Sequence, residues 1–80
     1  MYLEVITPDK RLFEGEVTAV QLPGTAGSFE VLNNHAPLIS TLEAGSVRVK
    51  NSQGEVKIPV TGGLVEVLNN KVTVLASTAV

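Results

Sequence analysis

The sequence contains no cysteine and only one histidine among its 80 residues. Without cysteine neither a disulfide nor a thiolate metal site can form, which fits a reducing compartment. Six basic and eight acidic residues give a net charge of −2, and no run of either sign occurs. Because contact with phosphates requires clustered Lys and Arg, the composition argues against nucleic-acid binding.

Long apolar segments are also missing. No apolar run approaches the ~18 residues that a membrane-spanning helix needs. Residues 1–4 (Met-Tyr-Leu-Glu) lack the basic region and the apolar stretch of a signal peptide. We therefore expect no direct membrane insertion, and any membrane association has to be peripheral, through another protein.

The length and hydrophobicity of the chain suit one small domain. A hydrophobic fraction of 44% supports a compact core without disulfides, so we expect a single domain over residues 1–80. At 0.05–0.15 kcal/mol per residue, its net stability is roughly 4–12 kcal/mol.

Short apolar runs separated by turn residues predict nine or ten short strands and no long helix. The clearest strands are residues 46–50 and 55–60, where the period-two alternation buries one face and exposes the other. Turn signals recur about every 8–12 residues or less, which indicates an all-β sandwich or barrel. The core residues expected from the second half are Val47, Val49, Val56, Ile58, Val60, Val65, Val67, Val72 and Val74.

Turn residues add local predictions. Pro59 cannot donate a ladder hydrogen bond, so its strand lies at an edge or a bulge. Asn69 and Asn70 predict a two-residue hairpin of the primed type. Residues 51–54 are typical of a four-residue hairpin loop, and residues 23–27 of a break in the chain.

Catalytic and metal-binding chemistry finds little support. His35 would need a nucleophile and an orienting acid, and the nearby Ser40 and Thr41 sit in an expected strand without an elbow motif. One His and scattered Glu residues do not make a metal site. Residues 24–27 resemble part of a phosphate loop but lack its Gly-Lys-Ser/Thr ending and lead into a strand. We expect no catalytic residue, metal or cofactor, and a His35 ring that ties down its own loop.

Binding is the remaining class of function. Residues 23–27 and 33–37 flank one short run, so we expect both loops to crowd one end of the sandwich, where recognition usually occurs. A rival interpretation is a small lipoyl- or biotinyl-type carrier domain with Lys71 as its attachment site, although Lys71 lacks the flanking Asp or Met of those domains. A generic interaction module is a third possibility.

Four stretches in order along the chain carry a family resemblance. They are residues 12–15 (Leu-Phe-Glu-Gly), 24–37 (ending His-Ala-Pro), 42–49 (Leu-Glu-Ala-Gly, then Val-Arg-Val), and the pair 62–67 and 72–76 (Gly-Gly-Leu-Val-Glu-Val and Val-Thr-Val-Leu-Ala). Together they resemble the N-terminal domain of the epsilon subunit of F-type rotary ATP synthases, the subunit called delta in mitochondria. This resemblance implies a flattened β-sandwich of about ten short, mostly antiparallel strands in two sheets.

The resemblance also implies a role and two contact surfaces. The family forms part of the rotor, where the sandwich binds the gamma subunit and the c-ring without being catalytic. The residues that correspond to the c-ring side are Ala26, Gly27, Ser28, Glu30, Asn33, Asn34 and His35. Those expected on the gamma side are Thr7, Leu38, Ile39, Ser40, Gly62, Gly63, Leu64 and Val65.

Some positions depart from the family pattern. Ser28 stands where many relatives have an acidic residue, and Glu30 where they have a glycine, so a carboxylate is expected to have moved along the c-ring side. The family's C-terminal helical hairpin, which inhibits ATP hydrolysis, has no counterpart after residues 76–80. We therefore expect a subunit that couples the rotor without an inhibitory arm and without nucleotide. By resemblance it is monomeric when isolated and peripheral to the bacterial inner membrane on its cytoplasmic face, or to the thylakoid or inner mitochondrial membrane.

Overall fold

Alternating apolar and polar residues form strands along almost the whole chain. The computed structural model describes residues 1–78, and these residues form nine β-strands and no helix. The strands are β1 (Tyr2–Ile6), β2 (Arg11–Glu16), β3 (Ala19–Gly24), β4 (Gly27–Leu32), β5 (Leu38–Leu42), β6 (Gly45–Asn51), β7 (Gly54–Val60), β8 (Gly62–Leu68) and β9 (Lys71–Ser77). The all-β prediction is confirmed, with nine strands in place of about ten.

The strands form a two-layered sandwich. Hydrogen bonds connect them in the order β2-β1-β9-β8-β5-β3-β6-β7, and β4 pairs with β3. Because β5 and β3 share only the pair Gly24 and Leu42, the sheet folds there into layer 1 (β2-β1-β9-β8-β5) and layer 2 (β4-β3-β6-β7). The smallest dimension of the molecule, 19 Å, suits two sheets stacked about 10 Å apart. Among the described pairs β1 and β9 run parallel, and the others are antiparallel.

Both layers contribute to a core made almost entirely of aliphatic side chains. The largest fully buried side chains are Leu3, Val5, Val20, Leu22, Val31, Val47, Val49, Val65, Val67, Val72 and Val74. Eight of the nine core residues expected from the second half are buried, and Val56 is the exception at 44% exposure. Period-two alternation places Val56 on the inner face with Ile58. However, β7 is an edge strand, so the flank of Val56 is left uncovered.

Turn geometry follows the local residues closely. Asn69 and Asn70 have φ angles of 51° and 60°, as a primed hairpin turn requires, and Pro59 lies on the edge strand β7 as predicted. Two boundaries were predicted wrongly. Asn51 pairs with Gly54, which shortens that loop to two residues. β3 runs on through Pro23 to Gly24, so the break consists of only two residues, 25 and 26.

The turns gather at two opposite ends of the sandwich. The Asn end comprises residue 1 and the connections at residues 17–18, 33–37, 52–53 and 69–70. The Ala26 end comprises the connections at residues 7–10, 25–26, 43–44 and 61. Every strand runs between these two ends, so each loop belongs to one end only.

Candidate functional site

Exposed apolar side chains cluster on the outer face of layer 1. Ile39 on β5, Leu64 on β8 and Leu75 on β9 are 68%, 38% and 48% exposed. Leu64 directly opposes Leu75. The three side chains line a shallow depression of about 160 Å³ together with Glu66 and Thr73. Contiguous exposed apolar surface marks interaction sites, whereas single exposed residues do not. We call Ile39, Leu64 and Leu75 the apolar patch.

The structure brings together most of the residues expected on the gamma side. Leu38–Ser40 lies on β5, and its neighbour β8 contains residues 62–65. Ile39 and Leu64 face outward, whereas Leu38 is half-buried against the core and Val65 is fully buried. A buried Val65 cannot present its side chain to a partner.

The remaining gamma-side residues differ in role. Thr7 lies in the turn before β2, at the Ala26 end, where its backbone N–H donates to the carbonyl of Lys10 at 2.8 Å. Ser40 donates to the carbonyl of Thr41 at 3.1 Å. Gly62 and Gly63 lie in β8 opposite residues 77 and 76 of β9. Ile6, the residue before Thr7, pairs with Leu75. Thr7 therefore lies one position beyond the apolar patch in the strand direction, and the two glycines shape the backbone.

Leu75 is the patch member that the sequence-based expectation missed. It lies on β9 between Val74 and Ala76, which both point into the core. Period-two alternation places Leu75 on the outer face with Thr73 and Lys71. An apolar residue on an otherwise polar face was therefore a signal already visible in the sequence.

The Asn end is held together by its own polar groups. The Oδ1 atom of Asn33 accepts from the N-terminal ammonium at 2.9 Å, and the Oδ1 atom of Asn70 accepts from the backbone N–H of Asn34 at 2.8 Å. Asn34 has a φ of 63°, a left-handed angle that Asn tolerates better than most residues. Nδ1 of His35 lies 2.7 Å from the carbonyl oxygen of Ala36. As predicted, the His35 ring ties down its own loop.

The Ala26 end presents smaller and freer groups. Ala26, Gly27 and Ser28 are all exposed. The hydroxyls of Thr25 and Thr41 lie 2.7 Å apart, and Ser28 accepts from the side-chain amide of Gln21 at 3.2 Å. These contacts hold the residues that flank the turn and leave residues 26 and 27 open to solvent.

The c-ring residues expected from the resemblance do not form one surface. Ala26 to Ser28 lie at one end of β4, and Asn33 to His35 follow its other end. Four residues of β4, 29–32, lie between the two groups and hold Ser28 and Asn33 about 17 Å apart, and Glu30 lies among them on the outer face of layer 2. The expectation that both loops crowd one end is wrong, because the six-residue strand β4 runs from one loop to the other.

Charged residues form a network on the outer face of β1 and β2. Arg11 contacts Glu4 at 3.1 Å and Glu14 at 3.2 Å. Nζ of Lys71 lies 3.9 Å from Glu4 and 5.8 Å from the centre of the Tyr2 ring. Lys71 is the first residue of β9 and does not crown the turn. It therefore lacks the placement that a carrier lysine needs.

Tyr2 provides a titration test of this network. Its hydroxyl donates to Glu14. This hydrogen bond, assisted by desolvation and by the charge of Glu14, raises the pKa of Tyr2 to about 12 from an ordinary value near 10. A raised pKa stabilises the fold below pH ~10, and that contribution is lost as the pH rises through ~12.

We expect the native tyrosine absorbance to titrate near pH 12 and the Glu14→Gln variant to titrate closer to 10. The signal is unambiguous because the chain has one Tyr and no Trp. Glu16→Gln is the matched control. Glu16 opposes Tyr2 across the strands but does not accept the hydrogen bond of the Tyr2 hydroxyl, which goes to Glu14. Equal midpoints for the native chain and Glu14→Gln would contradict the assigned hydrogen bond.

Layer 2 carries a second polar network on its outer face. Arg48 donates to Glu55 at 3.1 Å and to Gln21 at 3.3 Å. The hydrogen bond from Arg48 lowers the pKa of Glu55 below its ordinary value. Arg48 and Glu55 are therefore already paired with each other within this face.

Two further features of the structure bear on the classes of function considered from the sequence. Among residues 1–78, no three His, Asp or Glu side chains lie close enough together to hold a metal ion. That same part of the chain also contains no helix of the length and apolarity that crossing a membrane requires.

Comparison with known proteins matches the whole sequence to one family model. That model is described as the beta-sandwich domain of the ATP synthase delta/epsilon chain, and it matches residues 1–80. An ATP synthase epsilon chain of Pelotomaculum thermopropionicum is 47% identical over 96% of this chain. One of Campylobacter hominis is 39% identical over 100% of this chain. The chain spans only 58% and 63% of the lengths of these relatives.

Solved structures share the fold at low sequence identity. A chain in the cryo-EM structure of the Euglena gracilis mitochondrial ATP synthase (OSCP/F1/c-ring) superposes with a TM-score of 0.88 at 23% identity, over 98% of this chain and 51% of that one. A chain in the Tetrahymena thermophila central stalk and c-ring structure gives 0.80 at 20% identity, over 95% and 62%. Both similarities concern the sandwich fold.

Proposed function

Because this chain belongs to the ATP synthase delta/epsilon family, whose beta-sandwich domain model it matches over residues 1–80, we propose that it is a non-catalytic rotor subunit of a rotary ATP synthase. In this role the sandwich binds the gamma subunit and the c-ring and helps to couple ion flow to ATP synthesis. The observation that carries the proposal is the match of the entire sequence to this one domain. Residues 1–80 then act as a single structural unit.

We assign the gamma contact to the outer face of layer 1. The centres of permanent interfaces are more apolar than the rest of a protein surface, and the apolar patch supplies such a centre on paired strands. Ile39 and Leu64 are the expected contacts that point outward, and Leu75 extends them across β9. Leu38, Ser40, Gly62, Gly63 and Val65 support this face from within the sheet.

We assign the c-ring contact to the Ala26 end. At the Asn end, the hydrogen-bonding groups are already partly used. Asn33 bonds to the N-terminus, Asn34 to Asn70, and His35 to its own loop. Ala26 and Gly27 are exposed and small, so a partner's polar loop can approach their backbone closely. The assignment of Thr7 to the gamma side then places it where the two surfaces meet. Such a subunit sits peripherally on the membrane, on the face that carries the catalytic complex.

Reconstitution tests the proposed function. The chain is added to its own gamma-containing catalytic complex, and the product is added to c-ring membranes stripped of that complex and of this subunit. We expect the chain to bind the complex and to restore ATP-driven ion pumping. Failure to bind the gamma-containing complex would overturn the proposal, whatever happens at the membrane.

A pair of variants decides which end faces the ring. We expect Ala26→Glu to reduce ion pumping several-fold while binding to the catalytic complex is kept, because a bulky charge then stands between the sandwich and the ring. His35→Glu is the matched variant at the Asn end and is expected to leave pumping within twofold of the native chain. The reverse pattern would move the ring contact to the Asn end.

A further inference from the structure

Glu66 is a carboxylate surrounded by the exposed apolar side chains of layer 1. On β8 it stands between Leu64 and Leu68, which are 38% and 46% exposed on the same face. Across the sheet it opposes Ile39 on β5 and Thr73 on β9. Any surface that covers the apolar patch therefore also covers Glu66.

Glu66 has no counterion within the described part of the chain. None of the salt bridges among residues 1–78 involves it. Lys71 is the basic residue on the same face of β9, two positions from Thr73, but its amine points to Glu4 and to the Tyr2 ring. Glu66 and Lys71 line one depression, but among the described residues the salt bridge of Lys71 is to Glu4 and not to Glu66.

Covering an unpaired carboxylate with a partner surface carries an unfavourable desolvation free energy. Transfer of an ionised group out of water is offset only when the group is paired and hydrogen-bonded. A wholly apolar partner would have to bury Glu66 without a counterion, which opposes its binding. A partner that places a cation opposite the carboxylate gains the apolar contact without that penalty.

We infer that Glu66 selects the partner of the apolar patch: the segment that docks there combines apolar side chains for Ile39, Leu64 and Leu75 with a lysine or arginine placed against Glu66. This inference rests on the proposed function, which makes the segment a part of the gamma subunit. It adds the chemistry of that segment and the residue that discriminates between partners.

Charge reversal tests the inference. The affinity of the gamma-containing catalytic complex is measured for the native chain, Glu66→Gln and Glu66→Lys. Glu55→Lys is the matched control, because it makes the same charge change on the outer face of layer 2. Thermal unfolding of each variant alone establishes that the sandwich is intact.

We expect Glu66→Lys to weaken binding by about tenfold or more, because it leaves the partner's cation facing another cation. Glu66→Gln removes the charge without adding repulsion, so its loss of affinity is smaller. Glu55→Lys stays within about threefold of the native chain.

The outcomes separate the two proposals. If the native chain does not bind the complex, the proposed function fails. If the native chain binds and Glu66→Lys binds equally well, or if Glu55→Lys is as damaging as Glu66→Lys, the selective role of Glu66 is overturned and the proposed function stands.

Discussion

Replacing Gly63 with alanine is expected to lower the free energy of unfolding by about 3 kcal/mol, which combines a strained backbone angle with a steric clash. Gly63 has a φ of 149°, in a region that side-chain-bearing residues rarely adopt. A Cβ atom there would stand 2.4 Å from the carbonyl oxygen of Leu75 and 3.2 Å from the Cα atom of Ala76. Both atoms belong to the backbone of β9, which pairs with β8 over seven residues, so neither can move away without breaking the ladder.

Urea denaturation of the native chain and of two variants measures this loss. The matched control is Gly54→Ala, because Gly54 also has a positive φ, 131°, but nothing lies within 4 Å of a Cβ atom at that position. The control therefore reports backbone strain alone, for which we expect about 1–2 kcal/mol. Equal losses at the two positions would show that the close approach of β9 does not constrain residue 63.

This prediction also separates two explanations for the paired glycines at residues 62 and 63. The family resemblance assigned both to the gamma side. The structure gives Gly63 a requirement of its own, since the backbones of β8 and β9 approach closely at that point. A variant that loses stability before any partner is added would confirm that structural requirement.

Replacing Leu22 with alanine is expected to cost about 2–5 kcal/mol. Leu22 lies in the middle of β3 and is fully buried between the layers. The cost has two parts, the lost burial of the removed methyl groups and the cavity that close-packed neighbours cannot fill. For a domain of 80 residues with a net stability of roughly 4–12 kcal/mol, one such substitution removes a large share of the total.

Leu32→Ala is the matched control for this substitution. Leu32 lies on the neighbouring strand β4 but is 53% exposed, so the same change of side chain should shift the free energy of unfolding by no more than about 0.5 kcal/mol. Denaturation midpoints at a common slope provide the comparison. Similar costs at residues 22 and 32 would contradict the assignment of inner and outer faces on these two strands.

Local physics explains what the sequence predicted well. Period-two alternation is a property of neighbouring residues, so the strands and most of the second-half core could be assigned without knowing what any strand pairs with. The same holds for the left-handed Asn69–Asn70 turn and for Pro59, whose missing N–H confines it to an edge. The family resemblance likewise depends on short stretches in fixed order.

The sites depend on which strands become neighbours, and strand pairing is decided by contacts between residues far apart in sequence. The sequence placed Ile39 and Leu64 in separate strands. Their common face arises because β5 pairs with β8, and Leu75 joins them only through the pairing of β8 with β9. Val65 was assigned to the core by its alternation and to an interface by resemblance, and the register of β8 turns its side chain inward.

The sequence by itself therefore determined the all-β class, most strand positions, the Asn69–Asn70 turn and the family, because each of these depends on residues close together along the chain. Only the tertiary structure decided that Ala26 and His35 lie at opposite ends, that Leu75 completes an apolar patch, and that Glu66 stands within that surface without a salt-bridge partner among residues 1–78. These features depend on strand direction and on the pairing of residues far apart along the chain. Hydrogen bonding between strands that are far apart in sequence sets the strand direction and the pairing.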